Sequence, residues 1–358
     1  MEKNKIIKGR LRKKTKVDNS DTFDIQVARN SNFFVKSDKD SPAMLVHNSE
    51  IILRSKEFCN LSEAVITKDD TLETMIEKVE VATIIGTWQS TLTHFPYLSK
   101  TWKENCEEER LLGVSLTGIM DNQITNGRSG VPLKEILPSL RERTLIINEM
   151  VSTQIGINPS ASITCIKPSG TVSQLVDAAS GIHARHSQYY VRTVRGDKKD
   201  PLAQFMVEMG FPHEECVMKP EHQWVFSFPV KSPDNAVFRN DMSAIEQLEL
   251  WLDYQRYWCE HKPSVTISVK EHEWFEVGSW VWEHFDEISG VSFLPSSDHT
   301  YKQAPYQECG MLDYEELLSK IPTNVDWSDL IRFEKEDNTK GAQTYSCTAG
   351  SCEIVDLT

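Results

Sequence analysis

The sequence has no long apolar run. No stretch approaches the roughly 18 consecutive apolar residues of a membrane-spanning helix, and the lysine-rich N-terminus lacks the apolar core of a secretory signal. Hydrophobic residues make up 39% of the chain and charged residues 26%, which is ordinary for globular proteins. We therefore expect a soluble cytoplasmic protein of one or two domains without a membrane partner.

An excess of positive charge is also missing. The net charge of −14 argues against stable nucleic-acid binding. Residues 1–48 nevertheless carry a net +5 and the remainder −19, which predicts two modules. The basic run at residues 8–16 fits a nucleic-acid patch or, more often for such runs, a solvated face or a patch for an acidic partner.

The eight cysteines are expected to be mostly reduced, because no export signal precedes them. Two of them, Cys347 and Cys352, lie in a polar Gly- and Thr-rich terminal segment, residues 337–358. A zinc site needs about four ligands, and this segment has no other Cys or His, so we predict no metal. A flexible tail with a redox-active thiol pair fits better.

Periodicity predicts an α/β protein with a small all-β segment in front. Short strands separated by polar turns are predicted at residues 22–27, 32–35 and 43–46. Helices are predicted at residues 71–92, 139–156, 242–261 and 270–286. Strands are predicted between them at residues 162–166, 188–194, 224–230, 264–269 and 290–294. This alternation is typical of an α/β layer or barrel.

The junction Val-His-Asn-Ser at residues 46–49 combines three complementary groups. The amide of Asn48 can attack its own carbonyl and cleave the chain. His47 can donate a proton to that step, and the hydroxyl of Ser49 can accept an acyl group. Taken alone, these four residues are a weak signal, because such a short pattern recurs by chance in ordinary loops.

Together with the strands before it, this junction resembles the two C-terminal motifs of inteins. The resemblance covers nearly all of residues 1–48 and implies an all-β, Hint-type C-terminal fragment in which Asp24 matches the acidic residue of the first motif. Ser31 stands where a second assisting His is often found. The N-terminal splicing half is missing, which implies one half of a trans-splicing pair. A decayed intein or a truncated gene copy is the alternative.

Residues 49–336 carry two further patterns. Glu50 is followed closely by Phe-Cys-Asn-Leu at residues 58–61, and a predicted strand runs into Pro-Ser-Gly-Thr and a helix start. The second layout suits anion binding by backbone N–H groups and hydroxyls, although a simple helix N-cap is an equal alternative.

These patterns, with the terminal cysteines, resemble ribonucleotide reductases over nearly all of residues 49–358. The resemblance implies that Glu50 is the general base and that Cys59 is half of the reducing thiol pair. Cys347 and Cys352 would re-reduce that pair and receive electrons from a thioredoxin-like protein. The residues that would bind the substrate phosphates are Pro168, Ser169, Gly170, Thr171, Val172 and Ser173.

Within that family, the resemblance is to the adenosylcobalamin-dependent, monomeric class II enzymes that use ribonucleoside triphosphates. Tyr189 and Tyr190 lie too far from the C-terminus for the radical relay of the di-iron class, and a dithiol tail replaces the glycyl radical of the third class. His183 and His186 fit either ligand contacts or structural roles.

The resemblance also implies the C-terminal half of a ten-stranded α/β barrel with a central finger loop. The radical cysteine would then lie outside the chain, on a partner that carries the N-terminal reductase half and the N-terminal intein fragment. The rival hypothesis is an inactive remnant, or a non-catalytic nucleotide- or cobalamin-binding protein with a decayed intein.

Overall fold

The computed structural model describes residues 50–296 and 302–334, together with the backbone of four further strands. The chain divides into two compact units, Met1–His47 and Asn48–Thr358, at a point next to the predicted module boundary. No helix in the described part of the chain is long and apolar enough to cross a membrane.

The first unit contains an antiparallel strand pair. Strand β1 (Asn32–Val35) runs against β2 (Met44–His47), with Asn32 opposite His47. Both strands lie where the sequence predicted them. The predicted strand at residues 22–27 lies outside the described residues.

The second unit contains eleven strands and eight α-helices among its described residues. Its strands are β3 (Asn60–Val65), β4 (Leu112–Thr117), β5 (Thr164–Cys165), β6 (Tyr189–Asp197), β7 (His213–Glu215), β8 (Gln223–Lys231), β9 (Val265–Val269), β10 (Val291–Pro295), β11 (Tyr306–Glu308), β12 (Gln343–Thr348) and β13 (Ser351–Asp356). Its helices are α1 (Leu72–Gln89), α2 (Lys100–Glu109), α3 (Leu133–Ile155), α4 (Thr171–Leu175), α5 (Pro201–Glu208), α6 (Ala244–Tyr257), α7 (Trp274–Glu283) and α8 (Met311–Ser319).

Five of these strands form a parallel succession. Strands β3, β4 and β5 pair in that order, and β9 pairs with β10. A parallel bridge between Ile166 and Pro263 joins the two groups. Helices connect these consecutive strands along the chain, as in the predicted α/β layer.

The main core lies between this parallel layer and helices α1, α3 and α6. Helix α6 begins with a capping box formed by Ser243 and Glu246, which satisfies N–H groups of its first turn. The indole of Trp251 donates to the carbonyl of Pro263 at 2.8 Å, and that of Trp258 donates to the carbonyl of Cys165 at 2.9 Å. These bonds fasten α6 to the strands that carry the candidate site.

Two sequence expectations differ from the structure. Helix α3 begins at Leu133 rather than after Pro138, which lies inside it. The free energy gained by burying Leu133, Ile136 and Leu137 offsets the loss of the one helical hydrogen bond that the proline cannot donate. The strands predicted at residues 188–194 and 224–230 exist, but they belong to a separate antiparallel sheet in the order β11-β6-β8-β7.

Candidate active site

Glu50 lies in the segment that leads into β3, and its backbone is hydrogen-bonded to the segment just before β9. Its carbonyl oxygen accepts the N–H of Lys262 at 3.0 Å. The neighbouring His261 accepts the N–H of Ile52 at 3.2 Å and donates to the carbonyl of Leu112 at 2.8 Å. Burial lowers the pKa of His261, so a neutral ring holds this segment against the parallel sheet.

Cys59 immediately precedes β3 and is positioned by the residues on either side of it. The ring of Phe58 stacks on Trp102, with centroids 4.6 Å apart, and meets Phe95 edge-on at 5.2 Å. The backbone N–H of Asn60 donates to the carbonyl oxygen of Leu111 at 2.9 Å. The thiol is therefore carried by a fixed piece of backbone.

Burial raises the pKa of the Cys59 thiol to about 12, and the carboxylates of Glu57 and Glu50 add to the shift. The backbone N–H of Asn60 opposes it. Glu57 is itself buried, and that burial raises the pKa of its carboxyl group. At neutral pH Cys59 is therefore a protonated thiol, the form that can supply hydrogen.

The raised pKa predicts slow alkylation of Cys59. At pH 8 a thiol with this pKa is thiolate in roughly one molecule in ten thousand, against about a quarter for a free cysteine. Because the thiolate is the nucleophile, modification by iodoacetamide should accelerate about tenfold per pH unit between pH 7 and 10. Peptide mass spectrometry measures the rate, and a plateau near pH 8 to 9 would contradict the assignment.

Gly113 lies at the centre of the sheet face beyond Cys59 and leaves room there for the neighbouring side chains. A Cβ atom on Gly113 of β4 would clash with Leu61 of β3 and lie 3.3 Å from the sulfur of Cys165 on β5. Burial raises the pKa of Cys165 well above its usual range, and Cys59 and Glu50 are among the groups that add to it. The structure thus brings Glu50, Cys59 and Cys165 into one neighbourhood, and the catalytic roles of Glu50 and Cys59 stay predictions.

The Pro-Ser-Gly-Thr loop follows β5 directly and leads into the short helix α4. The N–H groups of Ser169 and Gly170 both donate to the hydroxyl of Ser180, at 2.9 and 3.4 Å. The hydroxyl of Ser173 donates to the carbonyl of Gly170 at 2.8 Å. Ser169 is buried, and its own hydroxyl has no hydrogen-bond partner among residues 50–296 and 302–334.

The remaining loop residues differ in exposure. Pro168, Gly170, Thr171 and Val172 are exposed, whereas Ser173 is buried. Gly170 has a φ of +52°, a backbone conformation that glycine adopts readily. The predicted strand, loop and helix start are therefore present, with two backbone N–H groups already bonded within the protein.

A cavity of about 330 Å³ adjoins this loop and is lined by Ser173, Arg185 and Lys231, among others. Arg185 is buried and binds both carboxylate oxygens of Asp121 at 2.9 Å. It also donates to the carboxylate of Asp177 at 2.8 Å. Although burial opposes it, bonding to Asp121 raises the pKa of Arg185, so this cation is compensated within the fold.

His183 and His186 both have structural partners. His183 donates from Nδ1 to the carbonyl of Ser180 at 3.0 Å, and its Nε2 accepts the N–H of Thr266 at 3.0 Å. Burial lowers the pKa of His183. His186 stacks on Tyr306, and burial, followed by the charge of Arg239, lowers its pKa to about 4. The structural alternative is therefore favoured for both.

An ion pair that was not predicted from the sequence joins β3 to the segment just after β5, the other outer strand of the parallel sheet β3-β4-β5. The ammonium of Lys167, directly before Pro168, lies 2.6 Å from a carboxylate oxygen of Glu63 on β3. The backbone N–H of Lys167 donates to the hydroxyl of Ser115 on β4 at 3.0 Å. The only signal in the sequence was the spacing of four residues, which puts Glu63 on the same face of an extended strand as Cys59.

The terminal cysteines lie in the paired strands β12 and β13. The register sets Cys347 directly opposite Cys352. Cα atoms of opposed residues in antiparallel strands lie about 4.5–5.5 Å apart, within the range of about 4.4–6.8 Å that disulfides span.

The predicted splicing residues Asp24, Asn48 and Ser49 lie outside the described residues. His47 is described only as the backbone of β2. Their roles remain predictions.

Similarity to known proteins agrees with the features of the second unit. No family model matches the sequence. Over 284 residues, the chain is 30% identical to a protein of Euglena gracilis named adenosylcobalamin-dependent ribonucleoside-triphosphate reductase. This chain is similar to reductases of that kind. The probable enzyme of the same name from Dictyostelium discoideum is 30% identical over 315 residues, and that of Lactobacillus acidophilus is 26% identical over 336.

The similarity covers most of this chain but less than half of each relative. It spans 77% of this chain and 37% of the Euglena protein, and 85% of this chain and 44% of the Lactobacillus protein. A crystal structure of a B12-dependent class II ribonucleotide reductase matches with a TM-score of 0.66 at 24% identity, over 80% of this chain and 43% of that one. This match supports the fold.

Neither the cavity beside the loop nor His183 offers a site for the cobalamin named in these relatives. The cavity beside the loop, at about 330 Å³, is at the small end for ligand sites and too small to enclose a corrin ring with its nucleotide loop and adenosyl group. Both ring nitrogens of His183 are engaged. The cofactor assignment therefore rests on the similarity.

Proposed function

We propose that the second unit is part of an adenosylcobalamin-dependent ribonucleoside-triphosphate reductase. The observation that carries the proposal is the joint position of Glu50 and Cys59 beside one parallel sheet, with the serine- and glycine-containing loop on a strand of the same sheet. The names of the relatives supply the reaction class. Because the chain spans less than half of their length, the radical-bearing cysteine is assigned to the missing portion.

Each site residue has a defined task in this proposal. Glu50 accepts and returns the proton of the 3′-hydroxyl by general acid–base catalysis. Cys59 and a second thiol from the missing portion are oxidised to a disulfide, while the ribose 2′-hydroxyl leaves as water and hydrogen takes its place. The loop that begins at Pro168 binds the triphosphate through the N–H and hydroxyl groups at its exposed edge.

The terminal strands support a renewal step. The opposed positions of Cys347 and Cys352 suit a pair that alternates between dithiol and disulfide. In the proposed cycle this dithiol reduces the Cys59 disulfide by exchange and becomes a disulfide itself. A thioredoxin-like protein then reduces the tail.

The surface beside β3 supports a missing partner portion. Among the described strands, β3 pairs on one side only, with β4. Val81, Ile85 and Trp88 lie on one face of α1 and are each more than half exposed. An open strand edge beside an apolar helix face is typical of an interface. We assign it to the N-terminal portion of the reductase, which would arrive fused to an N-terminal intein fragment.

Splicing at Asn48–Ser49 would join the two portions. Co-expression with a partner that carries the N-terminal portion and intein fragment should yield one ligated polypeptide containing Ser49 at the joint. Asn48→Ala should abolish ligation, because alanine has no side-chain amide to cyclise. Intact-mass and peptide mass spectrometry measure the product, and the matched control Asn240→Ala, at an exposed position, should ligate normally.

The ligated enzyme then tests the reductase assignment. Given adenosylcobalamin, a ribonucleoside triphosphate and a thiol reductant, it should form the corresponding deoxynucleotide. Nucleotide binding without deoxynucleotide formation would instead favour the non-catalytic alternative. Efficient ligation by Asn48→Ala would refute the splicing role without touching the reductase assignment.

A further inference from the structure

We infer that Glu63 and Lys167 form a positioning pair. The pair holds the phosphate loop, the Pro-Ser-Gly-Thr loop that begins at Pro168, at a fixed distance from Cys59. The inference rests on the proposed function and adds residues to which neither the motifs nor the relatives' names assign a role. Lys167 Nζ lies 2.6 Å from Glu63 Oε2, and the two side chains are 16% and 9% exposed.

Each member of the pair lies close in the sequence to one of the two parts of the site. Glu63 lies four residues after Cys59, and alternation puts both on the same face of the sheet. Four residues of strand span about 13 Å. Lys167 is bonded directly to Pro168, the first residue of the loop. The ion pair therefore joins the strand that follows the thiol to the residue that starts the loop.

Lys167 is held from two strands at once. Its ammonium binds Glu63 on β3, while its backbone N–H donates to Ser115 on the intervening strand β4 at 3.0 Å. The far side of the loop is held separately, because Ser169 and Gly170 donate to Ser180. Removal of the ion pair should thus increase the mobility of the whole loop, because Ser180 anchors its far side but not its entry.

The incomplete bonding of Glu63 favours positioning over stabilisation. Its second oxygen, Oε1, is buried and accepts no hydrogen bond from the described residues. A buried ion pair repays the desolvation of its charges only when its remaining atoms are well bonded, so this pair is a poor stabiliser. On the site face of the sheet, a fixed geometry is the remaining advantage.

The test uses the ligated enzyme and removes the pair as a unit. In Glu63→Gln with Lys167→Met no unpaired charge is left, so the fold should survive. The KM for the ribonucleoside triphosphate should rise about tenfold, with kcat changed much less. Lys167→Arg keeps the charge and the donors and should preserve KM. The exposed pair Glu316 and Lys320, at a similar distance of 2.7 Å, provides the matched control Glu316→Gln with Lys320→Met.

A second measurement does not need turnover. Hydrogen exchange at the amides of residues 169–176 should accelerate about tenfold in the double variant and stay unchanged in the control pair. If the double variant fails to fold, Glu63→Asp keeps both charges but shortens the tether, and the same changes are expected in it.

Several outcomes would overturn the inference. Unchanged KM and unchanged loop exchange in the double variant would remove the positioning role. A lower KM in Glu63→Gln would show that the released lysine binds phosphate directly. Inactivity of the unaltered ligated enzyme would count against the proposed function instead, and loop exchange would still decide whether the pair holds the loop.

Discussion

Replacement of Glu50 by glutamine should slow deoxynucleotide formation by the ligated enzyme about 10²–10⁴-fold, the usual contribution of a general acid–base group. Glutamine keeps the size and polarity of the side chain but cannot take up the 3′-proton. The backbone anchor should survive, since it runs through the carbonyl of Glu50 and the N–H of Lys262. The expected signature is a large fall in kcat with little change in KM.

Steady-state kinetics over a range of triphosphate concentrations measures this effect. The matched control is Glu276→Gln on α7, where the glutamate is exposed, and it should retain parental kinetics. Far-UV circular dichroism should be the same for all three proteins. Parental kcat in Glu50→Gln would refute the assignment of Glu50 as the base.

The parts of the fold that the sequence predicted are those with local signals. The helical periodicity of α1 and the amphipathic pattern of α6 are local features of the sequence, and so are the signals for strands β1 and β2. Strand β4 was missed because all six of its residues, Leu112–Thr117, are buried, so it shows no alternation of polar and apolar positions. Strand β3 was missed for a different reason. The charged residue Glu63 lies on the face that it turns toward the site, so this face does not look apolar in the sequence.

The site was predictable where residues lie close together in the chain. Glu50 and Cys59 are nine residues apart, and the loop from Pro168 to Ser173 is continuous. The contacts that orient them are not local: Lys167 meets Glu63 across 104 positions, and His261 meets Leu112 across 149. Such pairs follow from strand order and register, which no short motif encodes.

Two sequence expectations were decided by tertiary contacts rather than by residue type. A histidine near a phosphate loop suits ligand contact as well as structure, and the sequence of His183 favours neither. Its two ring nitrogens are bonded to Ser180 and Thr266, which joins the loop region to β9. Pro138 is a similar case, because the burial that sustains the helix around it is a tertiary effect.

The second large effect is expected at the terminal cysteines. In the ligated enzyme, Cys347→Ser with Cys352→Ser should stop thioredoxin-driven catalysis after about one deoxynucleotide per enzyme. Cys59 and its partner thiol can still supply the first two electrons, but in the proposed function the disulfide they form is reduced by the tail and not directly by the protein reductant. Rapid-quench measurement of the first turnover should therefore give the parental amplitude, while the steady-state rate disappears.

Cys309→Ser is the matched control, since Cys309 is a partly exposed free thiol two residues before α8 without a proposed role. It should sustain many turnovers. Dithiothreitol is small enough to enter the site, so it should restore multiple turnover to the tail variant and leave the dependence on Cys59 intact. Continued thioredoxin-driven turnover without both tail cysteines would mean that electrons reach Cys59 by another route, and the opposed register of β12 and β13 would then need a different explanation.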